Sequence, residues 1–358
     1  MPHQFNKETL QNIPFFFVIG RSRSGTTLLM TMFDAHPNVI MPFECPYIML
    51  LRRKYSKLKY WTKKDLLSFI DDIYTTGWRI SAWNIDKEKL KSELLACEGK
   101  TDYETICKVV HSNYVSVFDK GDIKIIGDKN PKYAVKLSIL MKMFPEARYV
   151  HIIRDYRDHL LSMLKLNFLD SIIPQILYHW KYSARITKKM MMKYPGQFIS
   201  IRYEDLATAP VETFSKVCAF LGLEFNQSSL DFYKKELEIK KSINAEIFNQ
   251  YQTSLFNPID ASRINTWNGR INETTLKMAD AIVGGIADHY GYERTFKNVG
   301  LKIYLRIIPR ILYLRSYYFY KFVLNRLPQG LRRKLKSIVP KLGVLYYKLF
   351  PSDLIKES

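Results

Sequence analysis

The sequence predicts a three-layer α/β fold with a central parallel sheet, and three observations carry that expectation. Short apolar runs rich in aromatic and β-branched residues recur at 14–20, 123–126, 149–153 and 198–202. Helical patterns separate them, which calls for crossover connections and a sheet covered on both faces. The first run ends in a glycine-bounded loop that opens a helix, as at the start of many nucleotide-binding sheets.

Taken in order, Phe15, Phe16, Phe17, Val18 and Ile19 form the first strand and Gly20 to Gly25 the loop. Leu28, Leu29, Met32 and Phe33 mark the apolar face of the helix that follows. His36-Pro37 stops that helix with His36 in a capping role, and Val39 to Met41 reads as a second short strand before Pro42. From about 50 to 120 the periodicity is helical, with Leu66, Leu67, Phe69, Ile70 and Ile73 on one face, so this stretch reads as a helical insertion. Ile123 to Ile126 is expected as a strand, Gly127 to Pro131 as a turn, and 133–143 and 155–166 as helices. His151 falls inside the 149–153 strand and reads as a core residue, and 211–221 supplies a further helix.

Composition limits what the chain does. With 358 residues, 47% hydrophobic and 25% charged, it is an ordinary globular composition of enzyme size rather than a disordered one. The net charge of +21 is the exception and points to anionic partners. The four cysteines are too few and scattered for a disulfide framework or zinc site. The apolar run near the N-terminus is too short for a signal peptide and no stretch is long enough to span a bilayer, so a cytoplasmic chain is expected.

The composition changes near residue 296. Between Glu293 and Asp353 there is no acidic residue, while fourteen Lys and Arg interleave with Ile, Leu, Tyr and Phe. Residues 1–296 are therefore assigned to one domain and 297–358 to a basic amphipathic extension, cut into short helices by Pro309, Pro328, Pro340 and Pro351. Solvated helices, polyanion binding and peripheral attachment to an acidic membrane surface all fit such a segment, the last best accounting for the apolar interleaving.

The chemistry concentrates in a few motifs. Gly20-Arg21-Ser22-Arg23-Ser24-Gly25-Thr26-Thr27 lies where backbone amides and a helix N-terminus receive an anion. In the nucleoside triphosphate loop a lysine follows the second glycine; here that position is Thr26 and the cation is Arg23, inside the loop. This is a P-loop-like arrangement suited to a single 5′ phosphate group.

Arg-Ser-Gly-Thr-Thr-Leu after a strand resembles the 5′-phosphosulfate loop of the sulfotransferases that use 3′-phosphoadenosine-5′-phosphosulfate (PAPS). The continuation Asp34-Ala35-His36-Pro37 is similar to the tyrosylprotein and related bacterial branch. A second motif agrees: Tyr149 to Asp158, with Ser162 eight residues after Arg154, resembles the family's 3′-phosphate site. Gly127 to Pro131 resembles the turn that carries a family lysine, here Lys129. Ile201-Arg202-Tyr203-Glu204-Asp205-Leu206 resembles a family strand end, and Asn265 to Arg270 its late tryptophan motif.

The resemblance, spanning roughly 14–295, implies PAPS as sulfuryl donor, a hydroxyl-bearing acceptor, and neither a metal nor nucleic acid as partner. It implies that Arg21 to Thr27, Arg154, Ser162, Tyr203, Asn265 and Trp267 bind the donor. It also implies that Glu44 is the general base and Lys129 the stabiliser of the bridging oxygen. Read as bare residues, Glu44 also suits a loop cap or arginine partner, Lys129 a solvated turn and Trp267 simple packing. Pro46 and Asn265 stand where tyrosylprotein sulfotransferases carry arginine and serine. The rival functions are an ATP-dependent small-molecule kinase, lacking here its lysine after Gly25, and a non-enzymatic polyanion or membrane binder.

Overall fold

The computed structural model describes residues 7–76, 78–165, 173–235, 238, 257–324, 326–327, 331 and 335. It divides into two compact units, 1–154 with 183–262, and 155–182 with 263–358.

The first unit holds a five-stranded parallel sheet in the order β2-β5-β1-β6-β7, formed by β1 (Phe15–Ile19), β2 (Val39–Ile40), β5 (Ile125–Lys129), β6 (Arg148–Ile153) and β7 (Phe198–Arg202). Helices flank it, as a sheet buried on both faces requires. The central strand β1 is wholly buried, and its three phenylalanines are the organising element. Phe15 and Phe17 stack at 5.0 Å on one face, where the ladder continues through Tyr149 at 5.8 Å and Phe198 at 4.8 Å from Tyr149. Phe16 points the other way onto Phe33 of helix α2 (Thr26–Ala35), 4.7 Å between ring centres. Each such ring contributes about 2–3 kcal/mol by leaving water.

Strand β5 departs from the expectation. It runs on through Gly127, Asp128 and Lys129, which had read as a turn, and all five of its residues are buried. A side chain at Gly127 would lie 2.4 Å from the Phe16 ring and 2.5 Å from Met41 Sδ, so glycine here makes room for the core rather than for a bend. Tertiary packing has overridden turn-like chemistry.

The stretch expected as a helical insertion contains helices α3 (Tyr47–Tyr55), α4 (Lys63–Thr76), α5 (Lys87–Leu95) and α6 (Tyr103–Ser112). A small antiparallel pair, β3 (Tyr60–Trp61) with β4 (Gly99–Lys100), was not anticipated. Asp86 and Asp102 cap α5 and α6, accepting bonds from Lys89 N at 3.0 Å and Thr105 N at 2.8 Å. Tyr55, Trp61 and Phe69 make this region's aromatic core. Helix α1 (Lys7–Asn12) also belongs to this unit, as do α7 (Leu137–Met143), α10 (Tyr203–Thr208) and α11 (Pro210–Leu221).

The second unit contains α8 (Tyr156–Leu164), the first half of the long α9 (Ile173–Lys193), α12 (Glu273–Val283), α13 (Gly285–His289) and α14 (Leu301–Leu324). Helix α14 passes through Pro309, which had read as a helix break. The buried side chains Ile307 and Leu314 lie on either side of it and hold the axis to its neighbours, offsetting the lost backbone bond. Pro328, Pro340 and Pro351 lie outside the described residues. Among the described residues no helix is long and apolar enough to cross a membrane, and all four cysteines are buried free thiols.

Candidate functional site

In the first unit, the loop after β1 brings together residues from four separate segments. Arg23 and Gly25 both adopt left-handed backbone, φ 71° and 88°. Glycine takes that conformation freely; arginine does so at a cost of about 1 kcal/mol, the kind of strain that collects at ligand sites. Handedness reversed within three residues folds the loop into a concave nest of amides. Gly25 is the N-cap of α2 and supplies no side-chain cap, so the first-turn amides of that helix keep their affinity for an anion. Ser24 is buried, and its Oγ has no hydrogen-bond partner.

The loop is clamped against the sheet. A side chain at Gly20 would lie 2.5 Å from Ile152 O, and one at Gly25 would lie 2.6 Å from the Tyr203 ring. Tyr203 stands at the end of β7, as the first residue of α10. Its ring carries the Arg154 guanidinium at 4.7 Å. Arg154 follows β6, is buried, and donates from Nη1 to Arg23 O at 3.3 Å. The two arginines, 131 residues apart in the chain, therefore meet at one loop.

Beside the loop stands a charged pair. Lys129 Nζ lies 3.1 Å from Glu44 Oε2 and 3.5 Å from Thr27 Oγ1. The Lys129 side chain is 1% exposed and that of Glu44 19%, so the carboxylate is the member facing outward. Asp128 lies beneath, taking Lys129 N at 2.7 Å and the Tyr133 hydroxyl. Burial pushes the Asp128 carboxyl up to about 7. Sequence reasoning gives Asp128 and Tyr133 no role, because a carboxylate between Gly127 and Pro131 has ordinary turn chemistry and its burial in β5 is set by tertiary packing.

His36 accepts Asn38 N at Nδ1, 3.1 Å, and Nε2 lies 2.9 Å from Glu224 O. Both nitrogens are engaged at the end of α2, in agreement with the capping role. His151 is buried with Nδ1 2.9 Å from Ser200 Oγ, a core residue as expected.

The second unit holds the remaining expected residues. Ser162 lies on α8, half-buried. Asn265 and Trp267 belong to a turn organised by Asp158 of the same helix, which accepts Asn265 N at 2.8 Å, Thr266 Oγ1 at 2.7 Å and Trp267 N at 3.0 Å. Asn265 has φ 55°, a conformation asparagine tolerates. Arg157 is fixed by Asp155 at 2.6 Å and lies 4.0 Å above the Trp267 ring. The Trp267 Nε1 is buried with no hydrogen-bond partner. Asp158 and Arg157 were inside a recognised motif, yet nothing local marked them as the organisers of a turn more than a hundred residues later.

A parallel sheet with an uncapped, arginine-bearing loop after its first strand and a lysine–carboxylate pair beside it defines a P-loop-like α/β group-transfer enzyme. The chain belongs to the sulfotransferase family, whose model matches residues 14–227. It is 24% identical to a putative protein-tyrosine sulfotransferase of Caenorhabditis briggsae over 74% of this chain and 85% of that one. It is 21% identical to protein-tyrosine sulfotransferase 1 of Danio rerio, over 82% of this chain and 75% of the other. Its fold is shared with the sulfotransferase domain of the Synechococcus PCC 7002 olefin synthase, with TM-score 0.54 and 17% identity over 82% of this chain and 98% of that one. Among the described residues no cluster of three His, Cys, Asp or Glu is placed to hold a metal ion.

Proposed function

We propose that this enzyme transfers the sulfuryl group of PAPS to a hydroxyl acceptor and releases 3′,5′-adenosine bisphosphate (PAP). The residues present fit such a donor: a nest of amides, an uncapped helix and the partnerless Ser24 Oγ at one end, and the arginine pair beside them. PAPS when bound supplies a sulfuryl group activated through a mixed anhydride with phosphate.

On this reading Arg21 to Thr27 hold the 5′ end, Arg154 takes the 3′-phosphate with the planar fork suited to a dianion, and Tyr203 supports its guanidinium. The family resemblance assigns Ser162 to the same phosphate and Asn265 and Trp267 to the donor. Lys129 donates to the oxygen that gains charge as the anhydride bond breaks. Glu44 accepts the proton of the acceptor hydroxyl while its oxygen bonds to sulfur. The contact between Lys129 and Glu44 supports this most directly, since it sets acid and base beside Thr27 of the loop.

The acceptor class is a glycan, a lipid or sterol alcohol, or a tyrosine. The named relatives bring tyrosine into that range, while Pro46 and Asn265 remove two residues of that branch and with them the ground for acidic-peptide specificity. The compartment proposed is the cytoplasm.

Calorimetric titration with PAP, against ATP plus magnesium, tests the donor assignment. PAP should bind, Arg154→Ala should weaken it by about thirtyfold or more, and ATP should bind negligibly. Binding of ATP without PAP would sink the reading in favour of a kinase.

A further inference from the structure

Helix α14 carries three faces of different chemistry. One is buried: Ile307 and Leu314 point inward, and Tyr318 stacks on Tyr182 at 3.9 Å within the second unit. A second is apolar and open, with Leu301, Leu305, Ile308, Leu312, Phe319 and Phe322 all exposed. Their intervals of three, four and seven residues place them on one side of a helix of 3.6 residues per turn. The third flank bears Lys302, Arg306, Arg310 and Lys321, alternating with Tyr313 and Tyr317. No acidic residue occurs anywhere between Glu293 and Asp353.

A helix that packs on its own unit through one face has no folding reason to present a row of large apolar side chains on another, since burying any of them would be favourable. Phe319 is 68% exposed and Leu305 63%. The row adjoins a cationic flank in a segment that has no acidic residue of its own, and tyrosines lie between the cations. Apolar insertion beside positive charge is the complement of one surface, the headgroup and acyl boundary of an anionic bilayer. Arg315, exposed beside the row, and Arg326, whose guanidinium lies 3.4 Å over the Phe322 ring, both have stems long enough to carry their charge back to the headgroups.

We infer that α14 is an interfacial helix that lays its Leu301–Phe322 face into an anionic membrane, with Lys302, Arg306, Arg310 and Lys321 against the headgroups. The inference does not depend on the reaction proposed for the first unit. The helix lies in the plane of the surface rather than across it, in keeping with a hydropathy too low for a span.

The test is co-sedimentation of the full chain with phosphatidylcholine vesicles, with and without phosphatidylserine, at low and high salt. Binding to the serine-containing vesicles only, weakened by salt, is expected. The variant Leu305→Asp/Leu312→Asp/Phe319→Asp changes exposed positions alone and should reduce binding by about tenfold or more while leaving PAP binding intact. Lys302→Glu/Arg306→Glu/Arg310→Glu should reduce it further at low salt than at high. Binding that withstands the apolar variant would assign attachment to charge elsewhere in the extension and overturn the inference, as would an absence of vesicle binding. So would a dimer in sedimentation velocity that the apolar variant dissociates, because the face would then belong to a second copy of the chain.

Discussion

The loop at 20–27 and the turn at 265–270 are both built from polar residues in irregular backbone, yet they are held in opposite ways. The loop is held by main-chain geometry: left-handed residues, a helix start, and glycines pressed against Ile152 and Tyr203. The turn is held by one carboxylate, Asp158, which alone accepts three of its donors. The first arrangement leaves the first-turn amides of α2 and the Ser24 hydroxyl available to a ligand. The second engages two backbone amides and a hydroxyl on Asp158, and among its buried polar atoms Trp267 Nε1 is left without a partner. A region built from backbone should therefore lose binding when its shape changes, and a region built from one side chain should lose stability when that side chain goes.

The sharpest separation of chemistry from scaffold is at Glu44. Glu44→Gln should lower kcat by about a hundredfold to a thousandfold while PAP affinity, measured by calorimetry, stays within about twofold. Unchanged turnover would remove Glu44 from the reaction. Next, Gly25→Val meets both a left-handed backbone and the Tyr203 ring, and PAP affinity should fall by about a hundredfold, with a smaller loss in melting temperature. The turn should answer differently. Asp158→Ala leaves three donors without acceptors and should cost about 3 kcal/mol in urea unfolding. A change in PAP affinity with no loss of stability would mean that Asp158 is not the scaffold described.

A smaller effect depends on pH. The Asp128 carboxyl is pushed up to about 7 in the folded chain, so between its ordinary value of 3.8 and that point the native state holds a proton that the unfolded state gives up. Its contribution is complete at the acid end and is lost as pH rises toward 7. Asp128→Asn should therefore gain stability relative to the parent across that range, by on the order of 2 kcal/mol. His111 and His151, pulled down to about 3 by burial, slope the other way in both proteins and cancel in the difference. The smallest expected change is at Ser24. Ser24→Ala removes a hydroxyl that bonds nothing in the ligand-free chain, so unfolding should shift by less than about 0.5 kcal/mol while PAP binding weakens about fivefold.

How far the sequence reveals these regions follows the same division. Strand β1, the loop and helix α2 are contiguous, and their signals are local: an apolar run, two glycines, then helical periodicity. Arg154 was legible because it ends a strand of the same kind. Lys129 was recognised through its motif but placed on a turn, because Gly-Asp-Lys-Asn-Pro has turn chemistry; the Phe16 ring over Gly127 keeps it in the sheet. The meeting of Arg154 with Arg23, the pairing of Lys129 with Glu44, and the role of Asp158 are contacts between segments 85 to 131 residues apart, which no local pattern encodes. Pro309 misled for the related reason that the buried neighbours Ile307 and Leu314 decide whether a helix survives a proline.

The pairing of Glu44 with Lys129 has a bearing on turnover. In the ligand-free chain each neutralises the other, so a donor engages the lysine by exchanging one bond for another rather than by gaining one outright. On the proposed reaction the bridging oxygen stays on PAP with added charge and Glu44 takes up a proton, so Lys129 is left on the product, and the pair re-forms once Glu44 has given up that proton and PAP has departed. Restoring the resting ion pair thus requires both departures, which ties the return of the base to the release of product.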